Sequence, residues 1–263
     1  MYKIALSWDR KTFEIGNSRV EAVTIVGCGG TGGFVADSLA RWLPRDKNLV
    51  LIDMDTVEED NLNRQSFTTA DIGLFKSEAL AKRLAVKYQR PVQYSVLPAG
   101  AGDLPHGIIV GCVDNGPARQ AIASRLRDGQ WWVDSGNGHN FGQVLIGNSQ
   151  TAKLHPSFVA GLCFRLPLPT IQQPAILAQV PRDRSCAEAV AADEQGPTIN
   201  QAMAALVLEV VRRIIEGTCP WMQLLLDLDA GTLTPTMASP EVVFRLTGIR
   251  PSRLIEKEEK GRR

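Results

Sequence analysis

The chain has 263 residues, 44% of them apolar and 22% charged, and a net charge of +1. That length holds one large domain, or one with a small appendage, and the composition is that of an ordinary globular protein. The near-neutral balance gives no field toward nucleic acid or a membrane surface, and no apolar run approaches the roughly 20 residues that cross a bilayer.

Residues 1–9 lack the apolar core and small-residue cleavage site of a secretory leader. The five cysteines, Cys28, Cys112, Cys163, Cys186 and Cys219, are odd in number and form no C-x-x-C pair. Neither a disulfide framework nor a cysteine zinc site is expected, and free thiols fit a reducing cytoplasm.

In chain order, residues 22–26 are apolar and run straight into Gly27-Cys28-Gly29-Gly30-Thr31-Gly32, which reads as a buried strand entering a glycine turn. A helix is predicted from about residue 33 to Leu43, stopped by Pro44. Residues 49–52 give a second strand ending at Asp53, and 77–88 a helix. Strands at 92–96 and 107–111, a helix at 116–127, and strands at 131–134 and 143–146 follow. This alternation predicts a doubly wound α/β fold with a mostly parallel, Rossmann-like sheet. Its ligand is expected at the carboxyl ends of the strands, where Gly27, Asp53 and Asp114 fall.

From about residue 154 to 185 periodicity is lost among five prolines, which predicts a long irregular crossover loop. Thr198-Ile199-Asn200-Gln201 resembles a capping box opening an apolar-faced helix that Gly217 stops. Residues 218–249, with loose alternation through Leu246, predict a small β-hairpin appendage, and 250–263 a charged tail.

Gly27, Gly29 and Gly32 form G-x-G-x-x-G between strand and helix, a turn whose backbone N–H groups approach phosphate oxygens. Asp53, 21 positions beyond Gly32, suits a ribose hydroxyl. The turn alone would equally serve a nicotinamide-dependent oxidoreductase. Taken singly, Asp55 and Asp114 read as turn or helix caps, Arg64 and Lys76 as surface side chains, and Asn61 and Asn63 as turn formers.

Together, the glycine turn, Asp53-x-Asp55-x-Val57, Asn61-Leu62-Asn63-Arg64-Gln65, Lys76-Ser77 and Val113-Asp114-Asn115 resemble the ThiF/MoeB/ubiquitin-activating superfamily. The resemblance spans roughly residues 18–217, and chain length adds a likeness to the ThiF-type proteins of bacterial PRTRC clusters. It implies an adenylation domain over residues 1–217, binding ATP and Mg²⁺ and activating the C-terminal glycine of a ubiquitin-like or sulfur-carrier protein. Gly27, Gly29, Gly30 and Gly32 would hold nucleotide, Asp53 the ribose, and Asn61, Arg64 and Lys76 the phosphates. Asp114, helped by Asp55, would bind the metal. Ser185-Cys186-Ala187-Glu188 resembles the stretch that carries the family's sulfur-transfer or thioester cysteine, so Cys186 is either that nucleophile or a packing residue. Family members pair, so a homodimer is expected, with Arg10 or Arg19 offered as the arginine that reaches the partner's nucleotide. A non-catalytic nucleotide-binding protein of the same fold is the alternative. Cys28 and Cys112 read as packing residues, and His106, His139 and His155 show no ligand spacing.

Overall fold

The computed structural model describes residues 20–127, 129–148, 158–159, 162–163, 165–179 and 198–249. The strands are β1 (Ala22–Val26), β2 (Asn48–Ile52), β3 (Gln93–Ser95), β4 (Gly107–Gly111), β5 (Trp131–Asn137), β6 (Phe141–Gly147), the two-residue β7 (Phe158–Val159) and β8 (Leu162–Cys163), β9 (Trp221–Asp227) and β10 (Thr232–Met237). The helices are α1 (Gly30–Trp42), α2 (Lys76–Tyr88), α3 (Gly116–Arg125), α4 (Pro169–Gln172), α5 (Ile199–Ile215) and α6 (Pro240–Thr247). Eight strands form one sheet in the order β10-β9-β6-β5-β4-β1-β2-β3, and β7 with β8 makes a separate ladder. The run β5-β4-β1-β2-β3 is parallel, while β6, β9 and β10 join antiparallel.

The central parallel strands β1 and β4 are almost wholly apolar because both faces are covered, whereas the edge strand β3 is polar and largely exposed. Ile108, Val110 and Val133 face one cluster with Val35 and Leu39 of α1, Leu80 and Leu84 of α2, and Val207 and Val211 of α5. Ile109 and Trp132 face the other, with Ile122 of α3 and Leu168. Each such side chain removed from water contributes about 1.5–3 kcal/mol, which is what holds the helices on the sheet.

Differences from the sequence expectation have identifiable causes. α1 begins at Gly30, inside the glycine turn, because the turn itself supplies the first helical residues. The crossover region is not wholly irregular: residues 169–172 form α4 and 174–178 a 3-10 turn. Buried Gln172 ties this piece down, its amide donating to Ile146 O and Pro167 O at 2.7 Å each and its Oε1 accepting from Gln223. Thr198 caps α5 without a side-chain hydrogen bond, so the expected capping box is not formed. Gly217, at φ +67°, ends the helix as expected, in the left-handed conformation that glycine adopts freely. The C-terminal hairpin β9–β10 extends the main sheet through β6, and the alternation stops at Met237, where Ser239-Pro240 opens α6. Val243 of α6 packs into the larger cluster. Among the described residues no helix is long and apolar enough to cross a membrane.

Candidate functional site

The carboxyl ends of the parallel strands open into one cavity of about 1130 Å³. Gly27 enters it at φ +92°, where an added Cβ would stand 2.5 Å from Cys112 O. A Cβ on Gly32 would collide with Gly27 O, so Gly32 serves close helix–strand packing and does not line the cavity. Gly29 is the N-cap of α1 and places no side chain over the first turn. The leading N–H groups of a 13-residue helix therefore face the cavity as donors for an anion.

Asp53 closes β2 beneath the turn. Its Oδ2 accepts from Cys28 N at 2.6 Å and its Oδ1 from Asp55 N at 2.9 Å. Burial raises its pKa, while those two N–H donors hold it down. The same hydrogen bonds fix the carboxylate at the cavity wall, with lone pairs remaining for a hydroxyl donor. Ser77 anchors the segment from behind by donating to Asp53 O and Ser95 O.

Lys76 opens α2 with a side chain only 5% exposed, so it is not a surface lysine; its ammonium lies at the cavity wall, 3.2 Å from Asp55 Oδ2. Asp55 is well exposed and committed to that ion pair. Arg64 is half-buried, lines the cavity and forms no side-chain hydrogen bond among the described residues. Asn61 lies behind it: its side chain accepts from Glu58 N, and its carbonyl accepts from Arg64 N and Gln65 N. The structure thus puts Asn61 inside the turn that aims Arg64, off the cavity wall, with its amide nitrogen buried and unpartnered among the described residues. Gln65 stands at the wall in its place, beside Gly29, with a buried Oε1 that no described donor reaches.

Asp114 is exposed at the wall. The cap of α3 belongs to Asn115, whose Oδ1 accepts from Ala118 N at 2.9 Å, so Asp114 is not spent on capping. Beside this exposed carboxylate no other acidic, Cys or His groups gather: among the described residues no cluster of three could hold a metal by itself. One carboxylate completed by phosphate oxygens and water is the donor set that magnesium accepts. Cys186, Arg10, Arg19 and His155 lie outside the described residues. Cys28 and Cys112 are held by burial well above the usual thiol range, which makes them packing residues rather than nucleophiles.

Two groups at or just behind the wall belong to no sequence motif. Arg119 (1% exposed) donates from Nε to both oxygens of Asp134 (0%), and from Nη1 to Gln179. Burial outweighs the guanidinium and pushes the Asp134 carboxyl up to about 6. Asn200, at the start of α5, accepts through Oδ1 from Thr31 Oγ1 and from Asn137 Nδ2, each at 3.1 Å. Neither group has a local sequence signature, since the partners lie 15 to 169 positions apart.

The profile of the ThiF family matches residues 14–240. Among curated proteins, the ubiquitin-like modifier-activating enzyme 5 of Drosophila mojavensis is 33% identical over 144 residues, covering 46% of this chain and 35% of that protein. Its counterpart in Aedes aegypti is 31% identical with the same coverage. The chain thus matches about a third of the length of these relatives. Among solved structures, PaaA superposes with a TM-score of 0.58 at 22% identity, covering 87% of this chain and 67% of that one. E. coli MccB, solved with ATP, gives 0.56 at 19% identity, covering 86% and 65%. At those identities the two structures establish a shared fold.

Proposed function

This chain belongs to the ThiF family, and we propose that it uses ATP to adenylate the terminal carboxylate of a polypeptide, a ubiquitin-like or sulfur-carrier protein ending in glycine. The observation that carries this reading is the convergence of two cations, Arg64 and Lys76, with the open N-terminus of α1 and the exposed carboxylate of Asp114 on one cavity. Two cations beside a separate exposed carboxylate suit a triphosphate with its metal better than hydride transfer. The similarity to proteins whose names and titles are those of a modifier-activating enzyme and of MccB with ATP and MccA supports the same reading.

In the proposed reaction a carboxylate oxygen attacks the α-phosphorus of ATP. A new O–P bond forms, the bridge to the β-phosphorus breaks, and pyrophosphate leaves with the electron pair. No proton moves, because the nucleophile is already ionised at neutral pH. The obstacle is repulsion between anions, and the protein's part is to offset it. Arg64 is suited to grip phosphate oxygens through paired N–H donors, whereas Lys76 is a compact charge that would leave Asp55 for the nucleotide. Asp53 would orient the ribose. Asp114 would hold Mg²⁺, which when bound supplies charge neutralisation at the phosphates.

We extend the reading to a homodimer, and to Cys186 as acceptor of the activated acyl group, its thiolate forming a thioester as AMP leaves the adenylate. A thiol-labile adduct that survives Cys186→Ser would remove that step alone. The adenylation itself is tested by mass spectrometry of candidate polypeptides incubated with the chain, ATP and magnesium. A polypeptide heavier by one AMP is expected, and none with Asp114→Ala. Tight ATP binding by the chain with no AMP product on any carboxylate would favour a non-catalytic nucleotide-binding protein.

A further inference from the structure

The cavity has two halves. The glycine turn, Asp53, Arg64, Lys76 and Asp114 form one; the projecting β5–β6 arm, with Asn137, Gly138 and Gln143, forms the other. The pairing of β5 with β4 ends at Asp134 opposite Gly111, so Ser135, Gly136 and Asn137 run on past the carboxyl edge of the parallel sheet. Three extended residues carry the arm about 10 Å beyond that edge. α5 fastens it there: Met203 fills the space a side chain on Gly142 would need, and Asn200, one turn earlier, meets Asn137.

Asn200 is 3% exposed and reaches the wall exactly between the halves, so its position is unusual for a polar residue. One atom, its Oδ1, receives the hydroxyl of Thr31 from the first turn of α1 and the amide of Asn137 from the arm. Its amide nitrogen fills the space at Gly30, so that any Cβ there would collide with it. A side chain at position 30 would therefore have to displace the Asn200 amide.

We propose that the β5–β6 arm borders the acyl substrate and that Asn200 is a positioning residue of the transfer site, setting the spacing between nucleotide turn and arm through one neutral acceptor oxygen. The assignment rests on the adenylation reading above and adds where the two substrates meet. An amide fits this place for a stated reason. Both donors it satisfies need an oxygen, yet a carboxylate there would add a charge beside the point where carboxylate and α-phosphate approach. A unit charge within a few ångströms of a developing anionic centre lowers a rate by more than about 100-fold at protein-like dielectric.

The test uses the full chain, a nonhydrolysable ATP analogue, and ATP–pyrophosphate exchange driven by a synthetic peptide ending in Gly-Gly with a free carboxylate, its C-terminal amide serving as blank. Asn200→Asp keeps an acceptor for Thr31 and Asn137, Asn200→Ala removes it, and Thr31→Val removes only the turn-side donor. Analogue affinity is expected within about threefold of wild type in Asn200→Ala and Thr31→Val, and in Asn200→Asp to fall by much less than exchange, since the added charge also faces bound phosphates. Exchange kcat should fall about 10- to 100-fold in Asn200→Ala, further in Asn200→Asp, and least in Thr31→Val. Wild-type exchange in Asn200→Asp would show that any acceptor suffices and would overturn the assignment. So would loss of analogue binding in proportion to exchange, because the residue would then only hold the turn together. Analogue binding by the wild-type chain with no exchange on the free-carboxylate peptide would instead defeat the adenylation reading, and this assignment with it.

Discussion

The two halves of the cavity handle charge in opposite ways. At the nucleotide half Arg64 has no described hydrogen-bond partner, Asp114 stands exposed, and Lys76 has only the exposed Asp55. At the arm half Arg119 and Asp134 are buried against each other, and the amides of Asn137 and Asn200 are joined. Charges left open at a wall are available to a ligand, whereas charges closed on one another hold the wall in place. On the proposed reading, the same residue types serve chemistry in one half and architecture in the other.

Substitutions can break or sharpen that contrast, the largest effects falling in the open half. Asp114→Ala should cut peptide-dependent pyrophosphate exchange by more than about 100-fold while leaving the melting temperature unchanged, since the side chain is exposed and caps nothing. Arg64→Ala should cost about 10²- to 10³-fold in exchange, the scale for removing one preorganised donor to developing charge. An unchanged rate in either variant, measured beside a normal melting curve, would erase the distinction.

Arg119→Met should do the reverse, destabilising by about 3–5 kcal/mol at neutral pH because a buried carboxylate loses its partner. The pH dependence follows from the raised Asp134 pKa. Loss of the guanidinium raises the Asp134 pKa further, so the destabilisation should shrink below about pH 6, where the carboxyl is neutral and needs no partner, and grow as pH rises above it. Denaturant melts of wild type and variant at pH 5 and pH 7.5 check this, and a pH-independent difference would contradict it. The smallest effect belongs to Asp55→Asn: its carboxylate is exposed, and the amide oxygen that replaces it still faces the buried Lys76 ammonium, so the loss is held to about 1 kcal/mol. Urea melts should barely move, while ATP affinity rises modestly because Lys76 is released toward the phosphates.

The halves also differ in how far the sequence discloses them. The open half comes from short contiguous stretches whose joint order carries the resemblance, so Gly27, Asp53, Arg64, Lys76 and Asp114 are legible together, though none is legible alone. Asn61 was read with its neighbours as a phosphate group, but a motif does not say which of its side chains faces inward; packing turned Asn61 into the loop and Gln65 to the wall. The closed half is made by tertiary contact. Arg119 meets Gln179 across 60 positions and Thr31 meets Asn200 across 169, distances over which no periodicity carries information. Strand positions were legible for a related reason: a doubly covered parallel sheet writes itself as apolar runs. The short α4 was not, because Gln172 secures it by hydrogen bonds to backbone oxygens that leave no hydrophobic pattern.

The central claim is that Arg64, Lys76 and Asp114 serve attack of a polypeptide carboxylate on the α-phosphorus of ATP. It is tested most directly by supplying ATP labelled at either the α- or the γ-phosphate together with the free-carboxylate peptide. The account predicts α-label on the peptide and γ-label in pyrophosphate, both lost in Arg64→Ala. Label from the γ-phosphate on the peptide, or its release as orthophosphate with no α-label transferred, would contradict it.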